Sequence, residues 1–283
     1  MKHAILIIGH SNIFGVKKMF DRLNHENIDF YVHWDAKSEN DIQELIKQTT
    51  ITLVPNIEVN WGGKSQVEAE LSLFKEARKK GYDYYHLVSD SDVALMDVDY
   101  FLDYFSKYST KEYIGFSDMD DSKLGWEARL KYYYPLEDMN INRNLKKALD
   151  IIGASVQKVC AVNRLKSENI KICKGPQWCS VTQKFIDIVL SEKWQNWIYE
   201  HMEYSSKMDE IYKQTIAAHE NLNVHGNPAG DDGRYALRYI DWERGNPYQF
   251  VDKDVYEVKK IYNTEYAFLR KVSPKTSQKL YQI

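Results

Sequence analysis

Tyr82-Asp83-Tyr84-Tyr85-His86-Leu87-Val88-Ser89-Asp90-Ser91-Asp92-Val93-Ala94-Leu95 decides how this chain folds. Residues 84–88 form a short apolar and aromatic run that stops abruptly at small polar residues. A run of this length, rich in β-formers and closed by turn chemistry, predicts a buried strand of an α/β sheet. Upstream, Ala4-Ile5-Leu6-Ile7-Ile8 predicts a first strand closed by Gly9-His10-Ser11-Asn12, and Val16, Met19, Phe20 and Leu23 then keep helical spacing. Phe30-Tyr31-Val32-His33-Trp34 predicts a second strand ending in Asp35-Ala36-Lys37-Ser38. Ile42, Leu45 and Ile46 mark a helix, and residues 51–54 a third strand. Asn60-Trp61-Gly62-Gly63-Lys64-Ser65 opens a helix carrying Val67, Leu71, Phe74 and Ala77. Strands alternating with helices predict a mostly parallel sheet flanked by helices.

Beyond residue 118 the pattern changes. Residues 126–134 and 145–159 predict helices set apart from the sheet. Gly175-Pro176-Gln177-Trp178 reads as a turn before a short buried strand, followed by a helix from about Gln183. Ser206 with Asp209 fits a helix-capping signal, which puts Asp209 and Glu210 in the first turn of a helix running to about Ala218. No repeat, low-complexity tract or Pro/Gly/Ser linker divides the chain, so residues 1–283 are expected to form one domain, with a nucleotide-binding half to about 118 and a second half from about 119.

Composition narrows the function. Hydrophobic residues make up 43% of the chain and charged residues 28%, ordinary values for a globular enzyme. A formal net charge of −3 gives no reason to expect nucleic acid as a partner. The 21 tyrosines and 7 tryptophans exceed ordinary usage and lean toward carbohydrate, whose binding sites use aromatic faces. Cys160, Cys173 and Cys179 are odd in number and lack metal-ligand spacing, which predicts a reducing compartment, the cytoplasm. No apolar run approaches the length of about 18 residues needed for a membrane span. Membrane association is therefore expected to be peripheral at most, at the inner face.

Several residue clusters carry chemistry. Asp90 and Asp92 stand at a strand end, where ligands of α/β sheets bind, and could hold a divalent cation. Asp35, at another strand end, could accept hydrogen bonds from a base or ribose, or could simply close a turn. Gly62 and Gly63 precede a helix start, where backbone N–H groups can meet an anion, although the Walker A spacing is absent. Glu210 is a candidate general base, while dipole complementation is the plain alternative. Arg244 and Lys271 could neutralise a departing diphosphate or be solvated charge.

Taken in order over nearly the whole chain, these segments resemble glycosyltransferase family 14. That family contains core-2 and I-branching β-1,6-N-acetylglucosaminyltransferases and peptide O-xylosyltransferases. The segments are residues 4–10, 32–38, 59–67, 86–92, 175–178, 208–210, 238–242 and 268–271. The resemblance implies a GT-A-like α/β fold with a helical acceptor-side insertion, a UDP-sugar donor and inversion at the anomeric carbon. It implies Glu210 as base, with Met208 where the family usually has Pro, and basic residues in place of a metal, so no cofactor is expected. Lys271 matches the family's lysine, and its arginine partner is Arg244, with Arg238 and Arg270 as alternatives. Asp92 matches a customary Asp, while Asp90 stands where a Gly is usual and is therefore expected to be dispensable. His10, Asp35, Trp61, Gly62, Lys64 and Ser65 fall on the donor side; Asp92, Arg129, Lys131 and Trp178 fall on the acceptor side. The expected partners are a UDP-sugar, GlcNAc first, and a saccharide such as a lipid-linked bacterial surface polysaccharide. A metal-dependent transferase built on Asp90 and Asp92, and a non-catalytic binding module, are the alternatives.

Overall fold

The computed structural model describes residues 1–117, 126–139, 141–226, 232–274 and 278–283, so the expected boundary between halves at 118 and 119 lies outside the described residues. Among the described residues the strands are β1 (His3–Gly9), β2 (Ile28–Trp34), β3 (Thr52–Leu53), β4 (Tyr84–Ser89), β5 (Val93–Ala94), β6 (Cys179–Thr182), β7 (Arg238–Ile240) and β8 (Phe268–Arg270). The first helices are α1 (Ile13–Leu23), α2 (Gln43–Gln48), α3 (Lys64–Arg78), α4 (Val98–Lys107), α5 (Ala128–Lys131) and α6 (Arg143–Val159).

The main sheet runs β3-β2-β1-β4-β6, with β1 to β4 parallel and β6 antiparallel at one edge. This is the mixed α/β, mostly parallel architecture that the alternating pattern predicts. Burial explains why β1 reads as an unbroken apolar run. Ala4 and Leu6 pack into the core beneath α3, and Ile5 and Ile7 into the opposite core with α1 and α4. A strand covered on both faces has no polar face to show.

Two readings need correction. Residues 126–134 do not form one helix: α5 ends at Lys131, and Tyr132 is already extended. Pro135 follows Tyr134 and disfavours helical backbone just before it. Nor does Ser206 cap a helix, because its hydroxyl donates to Glu137. Lys207, at φ 52, turns the chain through the left-handed region, and Met208–Glu210 form a separate 3-10 turn before the helix Tyr212–His219. A second, smaller sheet is ordered β5-β8-β7, and its Ala94 and Phe268 pack into the core shared with α1 and α4.

Candidate active site

The carboxyl ends of β1, β2 and β4 lie side by side, with Ile8 in register with both His33 and Ser89. Beyond them, Asp90 is buried, and one of its oxygens accepts the backbone N–H groups of His10, Ser11 and Asn12 at 3.0, 2.9 and 2.9 Å. Three consecutive amides aimed at one point form an anion nest, and here the chain supplies the anion itself. Asn12 ties the loop further, donating to the Asp90 carbonyl at 2.8 Å and to the Tyr281 hydroxyl at 2.6 Å. Asp90 is therefore not dispensable, because it holds the β1–α1 loop. His10 remains exposed on that loop.

Asp92 is fully buried, so it faces no acceptor. Its carboxylate accepts the Ser89 N–H at 2.8 Å and Arg270 Nη1 at 2.8 Å. Neither aspartate is arranged as a cation ligand: Asp90 is turned onto amides, and a guanidinium occupies Asp92. The Asp-x-Asp spacing misleads because its two side chains diverge into different parts of the fold.

The start of α3 holds a second surprise. Gly62 adopts φ +83, which side-chain-bearing residues rarely adopt, and a Cβ on Gly63 would stand 2.1 Å from an Asp138 oxygen, so the absence of a side chain at Gly63 lets Asp138 lie against this helix start. Asp138 accepts the Lys64 N–H at 2.9 Å and the Ser65 hydroxyl at 2.8 Å. The anion at this helix N-terminus is thus internal, and the Lys64 ammonium pairs with Glu203 at 2.7 Å. The amides of Lys64 and Ser65 are not open to a diphosphate, which corrects the donor-cradle reading. Trp61 stays largely exposed, with the Lys207 ammonium 4.7 Å from its ring centre. Asp35 is half-buried and accepts the Lys37 and Val59 N–H groups at 2.9 and 3.3 Å.

Glu210 lies on a turn packed beside the start of α3, where the Lys207 N–H donates to the Gly62 carbonyl at 2.7 Å. Its Oε2 receives Arg129 Nη1 at 2.6 Å, with Lys174 Nζ at 3.8 Å, and its side chain is 30% exposed. Among the described residues no hydrogen bond or ion pair involves Oε1. Lys174 also lies over Trp126, 4.3 Å from the ring centre. Beneath them Asp209 is buried, and burial together with neighbouring Glu210 and Glu70 raises its pKa well above the usual carboxylate range. The turn is anchored from below. Lys213, fully buried, bonds the Asp209 carbonyl at 2.8 Å and Glu70 at 2.5 Å. Glu70 also takes Tyr212 at 2.5 Å and Gln177 at 2.8 Å. A buried ion pair with every oxygen engaged costs its desolvation but fixes geometry.

The sequence singles out Glu210 and Arg129 but misses Lys174, next to Gly175, and Lys207, two residues before Asp209. Lys131 does not join them; its ammonium lies 5.9 Å from the Tyr132 ring centre.

The C-terminal cations separate into three roles. Arg238 is buried and donates to the Leu87, Cys179 and Ala236 carbonyls, so it stitches β4 to β6. Arg244 is enclosed by carboxylates: Asp241, Glu257 at 2.7 Å and Asp254 at 3.7 Å. Neutralised locally, Arg244 does not stand as the free partner of Lys271. Arg270 does lie beside Lys271, bonded to Asp92 and stacked 4.2 Å from the Trp178 ring centre. Trp178 is buried under that guanidinium. Lys271 is half-buried, and burial with the adjacent Arg270 lowers its pKa. Among the described residues no carboxylate lies within ion-pair distance of it.

The sequence profile of the Core-2/I-branching enzymes matches residues 4–264. The chain belongs to that family. Core-2/I-branching enzymes are glycosyltransferases, and the matched residues run from within β1 through β7, including Asp90, Asp92 and the Glu210 turn. No curated protein matches the chain. A proposed nucleotide-diphospho-sugar transferase from Desulfovibrio desulfuricans G20 overlaps 41% of this chain and 59% of that one, at 12% identity and a TM-score of 0.27.

Proposed function

We propose that this protein transfers a sugar, GlcNAc first, from a UDP donor to a saccharide hydroxyl with inversion, in bacterial surface-polysaccharide synthesis at the cytoplasmic side. The carrying observation is Glu210. Its carboxylate is anchored at Oε2 by Arg129, while Oε1 is left for a proton. A base held at one oxygen and open at the other can take the proton of an attacking hydroxyl, which then displaces UDP at the anomeric carbon. Arg129 and the nearby Lys174 keep the region cationic and suit hydroxyl-rich acceptors. Lys271, with no described carboxylate within ion-pair distance, meets the charge that develops on the diphosphate, and Arg270, itself paired with the buried Asp92, lies beside it where Arg244 was expected. Asp35 and the exposed Trp61 and His10 remain the donor-side contacts.

The reaction needs no divalent cation on this reading. Asp90 and Asp92 already have amide and guanidinium partners, and the site supplies its own positive charge. A thermal-shift screen of UDP-sugars tests the donor, since a ligand that binds only the folded state raises the melting temperature. UDP-GlcNAc is expected to give the largest shift. UDP release on adding acceptor then distinguishes an enzyme from a binding module.

A further inference from the structure

α6 is turned inside out. Leu145, Leu149, Ile152, Val156 and Val159 recur at spacings that put them on one helical face, and all are exposed, from 42% at Leu149 to 88% at Val159. Ile151, also 59% exposed, widens that face to one side. The side turned to the protein is small and polar. Ala154 packs with Ala128 and Tyr132, Gln157 bonds the Tyr133 backbone at 2.8 and 2.9 Å, and Lys146 bonds the Glu137 carbonyl at 2.8 Å. A contiguous apolar face of this kind in water marks an interaction surface.

Charge and shape identify its occupant. Residues 126–171 carry nine Lys and Arg against five Asp and Glu, a local +4 in a chain whose net charge is −3. Lys147 and Lys158 are exposed at the margin of the apolar stripe. Ile151 lies outside the narrow seam that a single partner helix would cover, whereas a flat apolar medium takes the whole arc. Wide apolar faces bordered by lysine are the pattern of helices that lie in the plane of a membrane.

We propose that α6 docks this protein onto an anionic lipid surface, its apolar stripe in the acyl boundary and Lys147 and Lys158 among the headgroups. α6 packs on α5, whose Arg129 holds Glu210, so docking would bring the acceptor side of the site to the membrane. Such placement suits a saccharide acceptor carried on a lipid.

Flotation of the full chain with vesicles tests this, and it reads binding rather than turnover, so its outcome is separate from that of the proposed reaction. The chain is expected to float with mixed phosphatidylglycerol–phosphatidylcholine vesicles and much less with phosphatidylcholine alone. Leu149→Asp with Val156→Asp should reduce partitioning at least about tenfold, the effect of losing buried aliphatic side chains. Lys147→Gln with Lys158→Gln should reduce it roughly 30-fold on the anionic vesicles only. If the apolar variant melts early, the lysine variant, which leaves the stripe intact, decides. Wild-type protein that stays in the buffer, or variants that float equally well, would overturn the proposal. So would a dimer in sedimentation velocity that the apolar variant splits, which would assign the face to a second copy.

Discussion

Arg129 Nη1 lies 2.6 Å from Glu210 Oε2, and the two residues reach each other from elements 81 positions apart. Under the proposed function, this contact ties the base to the acceptor side. Arg129 belongs to the one-turn helix α5, and Glu210 to a 3-10 turn anchored by a buried Glu70–Lys213 pair. Fixed from both sides, the carboxylate does not have to be ordered when substrate arrives, which is how a positioned group lowers a barrier.

Asp90→Gly should be destabilising. It removes the acceptor of three β1–α1 loop amides, of which that of Asn12 is buried while those of His10 and Ser11 belong to exposed residues that water can reach, and one buried donor left unsatisfied costs about 1–3 kcal/mol. Urea denaturation should show a loss of about that size. A variant as stable as wild type would mean the loop amides find water instead.

Much of this was legible beforehand. β1, β2, β4, α1 and α3 show themselves through period and turn chemistry, because each is a local pattern long enough to count. The motif drew attention to Glu210, though not to the 3-10 turn that carries it or to its contact with Arg129. The roles of Asp90, Asp138 and Arg270 were not legible, because each depends on a partner far along the chain: His10, Ser65 and Asp92. No window of sequence contains those pairs. The second sheet was missed for a simpler reason: β5, β7 and β8 are two or three residues long.

Lys271→Ala should separate binding from folding. Losing a half-buried cation that has no described carboxylate within ion-pair distance should leave stability nearly unchanged or slightly higher. UDP affinity, measured by calorimetric titration, should fall by about tenfold or more, the scale of one charged hydrogen bond. Equal affinity would return Lys271 to the scaffold. Arg244→Ala, by contrast, should leave UDP affinity unchanged, because that guanidinium is already spent on Asp241 and Glu257.

Stability should fall on acidification through a buried histidine pair. His3 Nδ1 is 3.1 Å from His86 Nε2, and both rings are fully buried. Burial lowers the pKa of His3 to about 4 and holds that of His86 well below 6.5. The unfolded chain takes up these protons near pH 6.5, whereas folded His3 does not until about pH 4. Stability from this source is therefore present above pH 6.5 and lost as the pH falls toward 4. His3 alone accounts for about 3 kcal/mol. Urea midpoints measured between pH 7.5 and 4.5 should drop accordingly, and His3→Phe should flatten that slope; an unchanged slope would put the acid sensitivity elsewhere.

The most direct test of the account is UDP release from UDP-GlcNAc with a saccharide acceptor in EDTA, wild type beside Glu210→Gln. The amide keeps the shape of the site but cannot take a proton, and losing a general base costs about 10²–10⁴ in rate. Full wild-type turnover in EDTA is expected, with the Gln variant slowed by that factor and its UDP affinity intact. A Gln variant working at the wild-type rate, or wild-type activity that vanishes in EDTA and returns with Mn²⁺, would contradict it.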